Sequence, residues 1–257
     1  MGQIGSKTEE LVNIMDRLLS PNGCPWDREQ THQSLSRYLI EECYEVVEAI
    51  KSGEMSQLRE ELGDLLLQVV FHAALAEREG HFNLAQVADT VSQKMINRHP
   101  HVFSDLSLQT SSQVLEIWEG FKKDEGKKTI LEGIPVMLPA LLRAYKIQEK
   151  AARVGFDWPD AEGAIEKLKE EIDELGRAES SDEMMEEMGD VFFALVNVAR
   201  MKKIEPEEAL QATNDKFVRR FNYIEAKAKA KAGGQDLKDM TLEEMDALWD
   251  EAKIQGL

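Results

Sequence analysis

Apolar residues return every three or four positions through most of this chain, the period of an amphipathic helix with one buried face. Prolines stand at 21, 25, 100, 135, 139, 159 and 206. The long stretches between them are rich in Glu, Leu, Ala, Lys and Met, residues that favour a helix. No β-branched cluster alternates with polar residues as a half-buried strand requires. The pattern predicts helices near 8–19, 29–51, 55–79, 84–98 and 111–124, then near 138–152, 161–179, 182–202, 206–231 and 241–254. The predicted fold class is all-α. Residues 126–139, with Gly126, Gly133, Pro135 and Pro139, read as a linker between segments 1–125 and 140–257.

The two segments carry the same landmarks in the same order. Trp26 and Trp118 are 92 residues apart, Trp158 and Trp249 91. Between them Glu41-Glu42-x-x-Glu45 is matched by Glu170-Glu171-x-x-Glu174, and Glu61-x-x-Asp64 by Glu187-x-x-Asp190. Lys94-x-x-x-Arg98 is matched by Lys216-x-x-x-Arg220. The offsets of 129, 126 and 122 need only small insertions in the connections. An ordered series of this kind identifies a duplicated unit, so the fold expected is two tandem helical bundles.

Helix geometry then places the acids. With about 100° per residue, Leu39, Cys43, Val46 and Ile50 form one apolar stripe, and Leu58, Leu62, Leu65 and Val69 a second. Glu42, Glu45, Glu61 and Asp64 flank these stripes. In the second half Ile165, Leu168, Ile172 and Leu175, with Met188, Val191 and Leu195, are flanked by Glu171, Glu174, Glu187 and Asp190. Antiparallel packing of each helix pair brings four carboxylates together, where they repel one another unless cations neutralise them. Oxygen-only ligands suit a hard ion, above all Mg²⁺, which takes a few carboxylates together with substrate phosphates. Lys94 with Arg98, and Lys216 with Arg220, each one helical turn apart, suit a polyphosphate as well as a solvated helix face. Trp249 suits either stacking on a base or packing. His99-Pro100-His101 reads as a helix terminator.

Charge narrows the partners. The chain has 49 acidic and 31 basic residues and a net charge of −18, which disfavours nucleic-acid backbones and anionic membranes. A polyanionic small molecule remains compatible when a divalent cation mediates the contact. Cys24 and Cys43 have no metal or redox spacing, and no apolar run approaches the roughly 20 residues of a membrane span, so a cytoplasmic setting is expected. No Walker lysine loop is present, and the lone Glu29-x-x-His32 does not supply the two Glu-x-x-His pairs of a di-iron bundle.

These motifs resemble the MazG family of nucleoside triphosphate pyrophosphohydrolases, within the all-α NTP pyrophosphatase superfamily, over nearly the whole chain. The resemblance is carried by Gly23-Cys24-Pro25-Trp26-Asp27, the E-E-x-x-E and E-x-x-D pairs, Arg98-His99-Pro100-His101-Val102-Phe103 and Val154-Gly155-Phe156-Asp157-Trp158. It implies a helical bundle that forms a homodimer and holds Mg²⁺. The implied metal ligands are Glu171, Glu174, Glu187 and Asp190, with Glu42, Glu45, Glu61 and Asp64 as the equivalent set. Lys216, Arg220 and Trp249 look similar to the family's nucleotide-contacting positions. One departure is Ser181-Asp182-Glu183-Met184, which lacks a lysine expected just upstream of the second E-x-x-D pair.

The expected reaction is cleavage of a nucleoside triphosphate to monophosphate and pyrophosphate, with broad base tolerance, as nucleotide-pool housekeeping. Glu170 or Glu171 is the expected base for the attacking water. The second half, with Lys146, Lys150, Arg153, Lys216, Arg219 and Arg220 near its acids, is expected to do most of the catalysis. A non-catalytic metal-binding scaffold, or a nucleotide sensor, is the rival reading.

Overall fold

Short polar signals fix where the helices begin. Thr31 with Ser34, Asn83 with Gln86, Ser180 with Glu183 and Thr241 with Glu244 each form a capping box, in which two otherwise orphaned N–H groups are satisfied. Each such cap contributes about 1 kcal/mol. In the computed structural model, which describes residues 2–103, 110, 129–230 and 236–257, they open four of the long helices. Among the described residues every regular element is helical.

The chain divides into two compact units, Met1–Asp124 and Glu125–Leu257. The first contains α1 (Gln3–Leu19), α2 (Pro25–Glu29), α3 (His32–Ser52), α4 (Met55–Arg78), α5 (Leu84–Arg98) and the single turn α6 (Pro100–Phe103). The second contains α7 (Ala140–Ala152), α8 (Ala161–Leu175), α9 (Ser181–Met201), α10 (Pro206–Ala230), a 3₁₀ turn (Leu237–Asp239) and α11 (Leu242–Ile254). The expected helix over 111–124 and Trp118 lie outside the described residues, as do 126–128 of the expected linker.

Several expected boundaries move for local reasons. The helix expected from 29 is two elements, because Gln30 and Thr31 are extended and Thr31 caps a new helix. The helix expected to reach 179 stops at Leu175, since Glu183 turns back to accept the Glu179 and Ser180 N–H groups at the start of α9. That capping use of Ser180 and Glu183 occupies the segment where the lysine is missing.

In the first unit α3 and α4 run along one another, and α1 lies across α4. Met15, Leu19, Leu35, Val70, Phe71, Ala74 and Leu75 form the core, each fully buried large side chain contributing about 1.5–3 kcal/mol. In the second unit α8 and α9 form the same pair, α7 lies against α9 and α10, and α10 packs on α11. Tyr223 and Lys227 on α10 both donate to Glu251 on α11, at 2.6 and 2.8 Å.

The expected apolar stripes need correction. Val46 is buried, but Cys43, Ile50, Leu62 and Val69 are exposed, and so are Ile172, Met188 and Leu195. The apolar arc of each paired helix is wider than the face its neighbours within the chain cover. Leu35, Val46 and Ala49 on α3 and Gln68, Val70 and Phe71 on α4 take the buried places instead.

Candidate metal and nucleotide site

The helix pairs bring the acids together in both units. Glu42, Glu45 and Glu61 each offer an oxygen, and these oxygens lie within 4.8 Å of one another. Glu171, Glu187 and Asp190 do the same in the second unit. The two remaining acids act on these clusters through their charge. Burial raises the Glu42 carboxyl above its ordinary range, and the negative charges of Asp64 and Glu45 raise it further. Glu61 is raised by partial desolvation, then by Glu45 and Asp64. Glu187 is raised by partial desolvation, then by Glu174, Glu171 and Asp190. Carboxylates that crowd until their protons are held more tightly are the donor set a divalent cation relieves. All donors are oxygen, which fits Mg²⁺.

The second unit adds a cavity of about 630 Å³, within the range that encloses a small ligand. Glu171 and Asp190 stand in its wall with Lys167, and the rest is largely apolar, including Ile147, Phe156, Trp158 and Phe193. The Val154–Trp158 motif builds one side. Gly155, at φ +87°, ends α7 in a left-handed turn, with Phe156 N–H donating to Ala151 O at 3.2 Å and Gly155 N–H to Ala152 O at 3.0 Å. The Trp158 ring then lies against Gly163 in the first turn of α8, where an added Cβ would come within 2.7 Å of the indole.

Several polar groups in this wall hold one another in place. Asp157 and Arg200 form a two-pronged ion pair, one prong at 3.0 Å, which holds the Asp157 carboxyl below its usual range. Arg200 also donates to Asn197 Oδ1 from Nε at 3.1 Å and from the guanidinium end at 2.7 Å. Gln148 donates to Phe193 O at 2.8 Å, and its own Oε1 is buried without a hydrogen-bond partner.

Lys167 was not anticipated from the sequence. Its ammonium donates to Glu170 and Glu171, both at 2.7 Å, and the two carboxylates push its pKa up. The offset of 129 pairs Lys167 with Tyr38, and that exchange within the repeat was the available signal. Lys146 and Arg153 pair with Glu149 on their own helix, while Lys150 donates to Glu132 O, so none of these three lines the cavity.

The residues expected to contact the nucleotide lie outside the lining of this cavity. Arg220 donates from Nε to Leu257 O at 2.8 Å and lies 5.4 Å over the Trp249 ring, whose centroid is also 5.2 Å from that of Phe217. These contacts join α10 to α11. Lys216, Arg220 and Trp249 are absent from the cavity lining. In the first unit Lys94 is exposed and Arg98 half-buried near the end of α5. Glu170 is exposed beside Lys167, whereas Glu171 is only 6% exposed.

A duplicated helix pair bearing converged carboxylates that could hold a metal, with a largely apolar cavity beside the second pair, is the arrangement of a small-molecule-binding helical protein. Comparison with known proteins makes this specific. The model of the MazG nucleotide pyrophosphohydrolase domain matches residues 30–103 and again 160–224. The chain is 46% identical over 256 residues to the nucleoside triphosphate pyrophosphohydrolase/pyrophosphatase MazG of Thermotoga maritima, covering 98% of each. It is 44% identical over 262 residues to the nucleoside triphosphate pyrophosphohydrolase of Escherichia coli, covering 98% of this chain and 99% of that one. A solved structure of a mazG-related protein from Thermotoga maritima, 31% identical, aligns with a TM-score of 0.40 over 45% of this chain and 98% of its own. The chain belongs to the MazG family, with the domain present twice. Among the described residues no helix is long and apolar enough to cross a membrane.

Proposed function

We propose that this protein is a Mg²⁺-dependent nucleoside triphosphate pyrophosphohydrolase, and that the second unit carries most of its turnover. The observation that carries this reading is the convergence of Glu171, Glu187 and Asp190, two of which, Glu171 and Asp190, stand in the wall of the 630 Å³ cavity. The family membership and the activity for which two relatives of matching length are named support the same reaction.

Glu171, Glu174, Glu187 and Asp190 would hold the metal in the second unit, and Glu42, Glu45, Glu61 and Asp64 in the first. When bound, the ion offsets the triphosphate's charge and makes a water a better nucleophile toward phosphorus. The chain's own groups do the rest. The cavity takes the nucleoside and excludes water from one side of the reacting centre. Lys167 compensates Glu171 and stands ready to meet charge on the phosphates. Of the two candidate bases, Glu171 faces the cavity and Glu170 shares the Lys167 ammonium; either orients the attacking water. Lys216, Arg220 and Trp249, and Lys94 with Arg98 in the first unit, remain candidate contacts for the outer phosphates or base, now with a packing role observed for Arg220 and Trp249.

The reading extends to broad base tolerance and cytoplasmic nucleotide-pool housekeeping, because most of the cavity wall is apolar. A panel of ribo- and deoxyribonucleoside triphosphates with Mg²⁺ should each release pyrophosphate, and excess chelator should stop it. Release from none of them would favour a non-catalytic metal-binding scaffold.

We also propose a homodimer. Ile40, Tyr44, Val47, Leu62 and Leu66 on α3 and α4 are 42–55% exposed, an apolar face on the very helices that carry the acids. Sedimentation at micromolar concentration should give about twice the 29.1 kDa chain mass. A single species at the chain mass would refute the dimer.

A further inference from the structure

Asn197 stands where the helix alone has no need of a polar residue. The offset of 126 that aligns Glu61 with Glu187 and Asp64 with Asp190 also aligns Phe71 with Asn197 and Ala74 with Arg200 on continuous helices. Phe71 and Ala74 are both buried members of the first unit's core. The second unit thus replaces two core residues by an amide and a guanidinium, and opens a cavity beside them.

The amide's orientation follows from its neighbours. A guanidinium has donors and no acceptor, so the Asn197 oxygen must face Arg200. Arg200 is itself held by Asp157, whose Oδ1 also accepts the Trp158 N–H at 2.9 Å. The Asn197 amide nitrogen is then the end left over, with no partner among the described residues, on a side chain that lines the cavity.

Asn197 follows Asp190 by seven residues, two helical turns, so both occupy one helix face about 10 Å apart. That span matches the length of a nucleotide from its inner phosphate to the far edge of its base. A triphosphate anchored at the acids would bring the exocyclic substituent of its base to Asn197.

We infer that Asn197 reads the base, donating its amide N–H to an exocyclic carbonyl, with Arg200 and Asp157 as positioning residues that stop the amide from turning over. This rests on the proposed pyrophosphohydrolase reading and refines its substrate class. Bases with a carbonyl at that position are favoured over bases with an amine, which would set donor against donor. The preference is a bias of about tenfold, the worth of one well-placed hydrogen bond, and remains compatible with turnover of all bases.

ITP and ATP, which differ at this substituent, give the test. Wild type should show kcat/KM about tenfold higher for ITP, and calorimetry should show IMP binding tighter than AMP in the same sense. Asn197→Ala should bring the ratio near one, and Asn197→Asp, which removes the donor, should favour ATP. Arg200→Met, which frees the amide to turn, should also flatten the ratio, a change that a merely structural role would not produce. A wild type indifferent to the base in both turnover and binding would overturn the inference. So would an unchanged ratio in folded Asn197→Ala and Asn197→Asp. If wild type hydrolyses neither triphosphate yet still binds IMP over AMP, the proposed reaction fails while the base-reading stands.

Discussion

Glu171→Gln/Glu174→Gln should lose at least about a hundredfold in pyrophosphate release at saturating Mg²⁺, while Glu42→Gln/Glu45→Gln should retain most of it. Each unit brings three acids together, with a fourth acting on them through its charge, so ligand count does not separate the units. What separates them is the surroundings. Glu171 is 6% exposed, is bonded by Lys167 and opens on a cavity large enough for a nucleoside. In the first unit Tyr38 replaces Lys167 and packs against the core, and Phe71 fills the place of Asn197. A buried carboxylate with an adjacent cation and a largely apolar cavity can stabilise charge developing on a transferred phosphoryl group. A larger loss from the first-unit pair would reverse the assignment.

Much of this was legible in the sequence, because two of its signals are local and repeated. The 3.6-residue period gave helices whose described ends mostly fall within a few residues of expectation, and Leu84–Arg98 coincides with its expected bounds. The E-E-x-x-E and E-x-x-D spacings place each acid on a predictable side of its helix, so α3–α4 and α8–α9 packing brings Glu42 to Glu61 and Glu171 to Glu187. Exposure was less legible. Periodicity shows that Ile50, Leu62, Met188 and Leu195 share an apolar arc, but not how far neighbouring helices cover it.

The cavity was barely legible. Its wall is assembled from Gln148 on α7, the Val154–Trp158 turn, Lys167 on α8 and Asn197 and Arg200 on α9, and the Asp157–Arg200 pair joins residues 43 apart. Such contacts depend on packing angles that no local pattern encodes. One trace did exist, in the break of the repeat at Phe71/Asn197 and Ala74/Arg200. The cations Lys146, Lys150 and Arg153 have local partners in Glu149 and the Glu132 carbonyl, and none of the three is among the cavity's lining residues.

The central claim is that the converged carboxylates of the second unit form a metal-dependent hydrolytic centre. Glu187 has a folded-state pKa raised above its unfolded value, so its folded form binds protons more tightly. The stability linked to that shift is present below the unfolded pKa and is lost as pH rises through the folded one. At neutral pH the empty cluster therefore opposes folding, and Mg²⁺, which binds only the folded arrangement, should raise the melting temperature. Metal-free Glu187→Gln should melt no lower than metal-free wild type, and should gain little from Mg²⁺. Asp190→Asn, which removes a ligand from the cavity wall, should be folded and inactive. The direct measurement is ³¹P NMR of ATP incubated with wild type and with Asp190→Asn, each with Mg²⁺ and with excess chelator. The account predicts AMP and pyrophosphate from wild type with Mg²⁺ alone, and unchanged ATP in the other three samples. ADP and orthophosphate as first products, or full turnover by Asp190→Asn or under chelation, would contradict it.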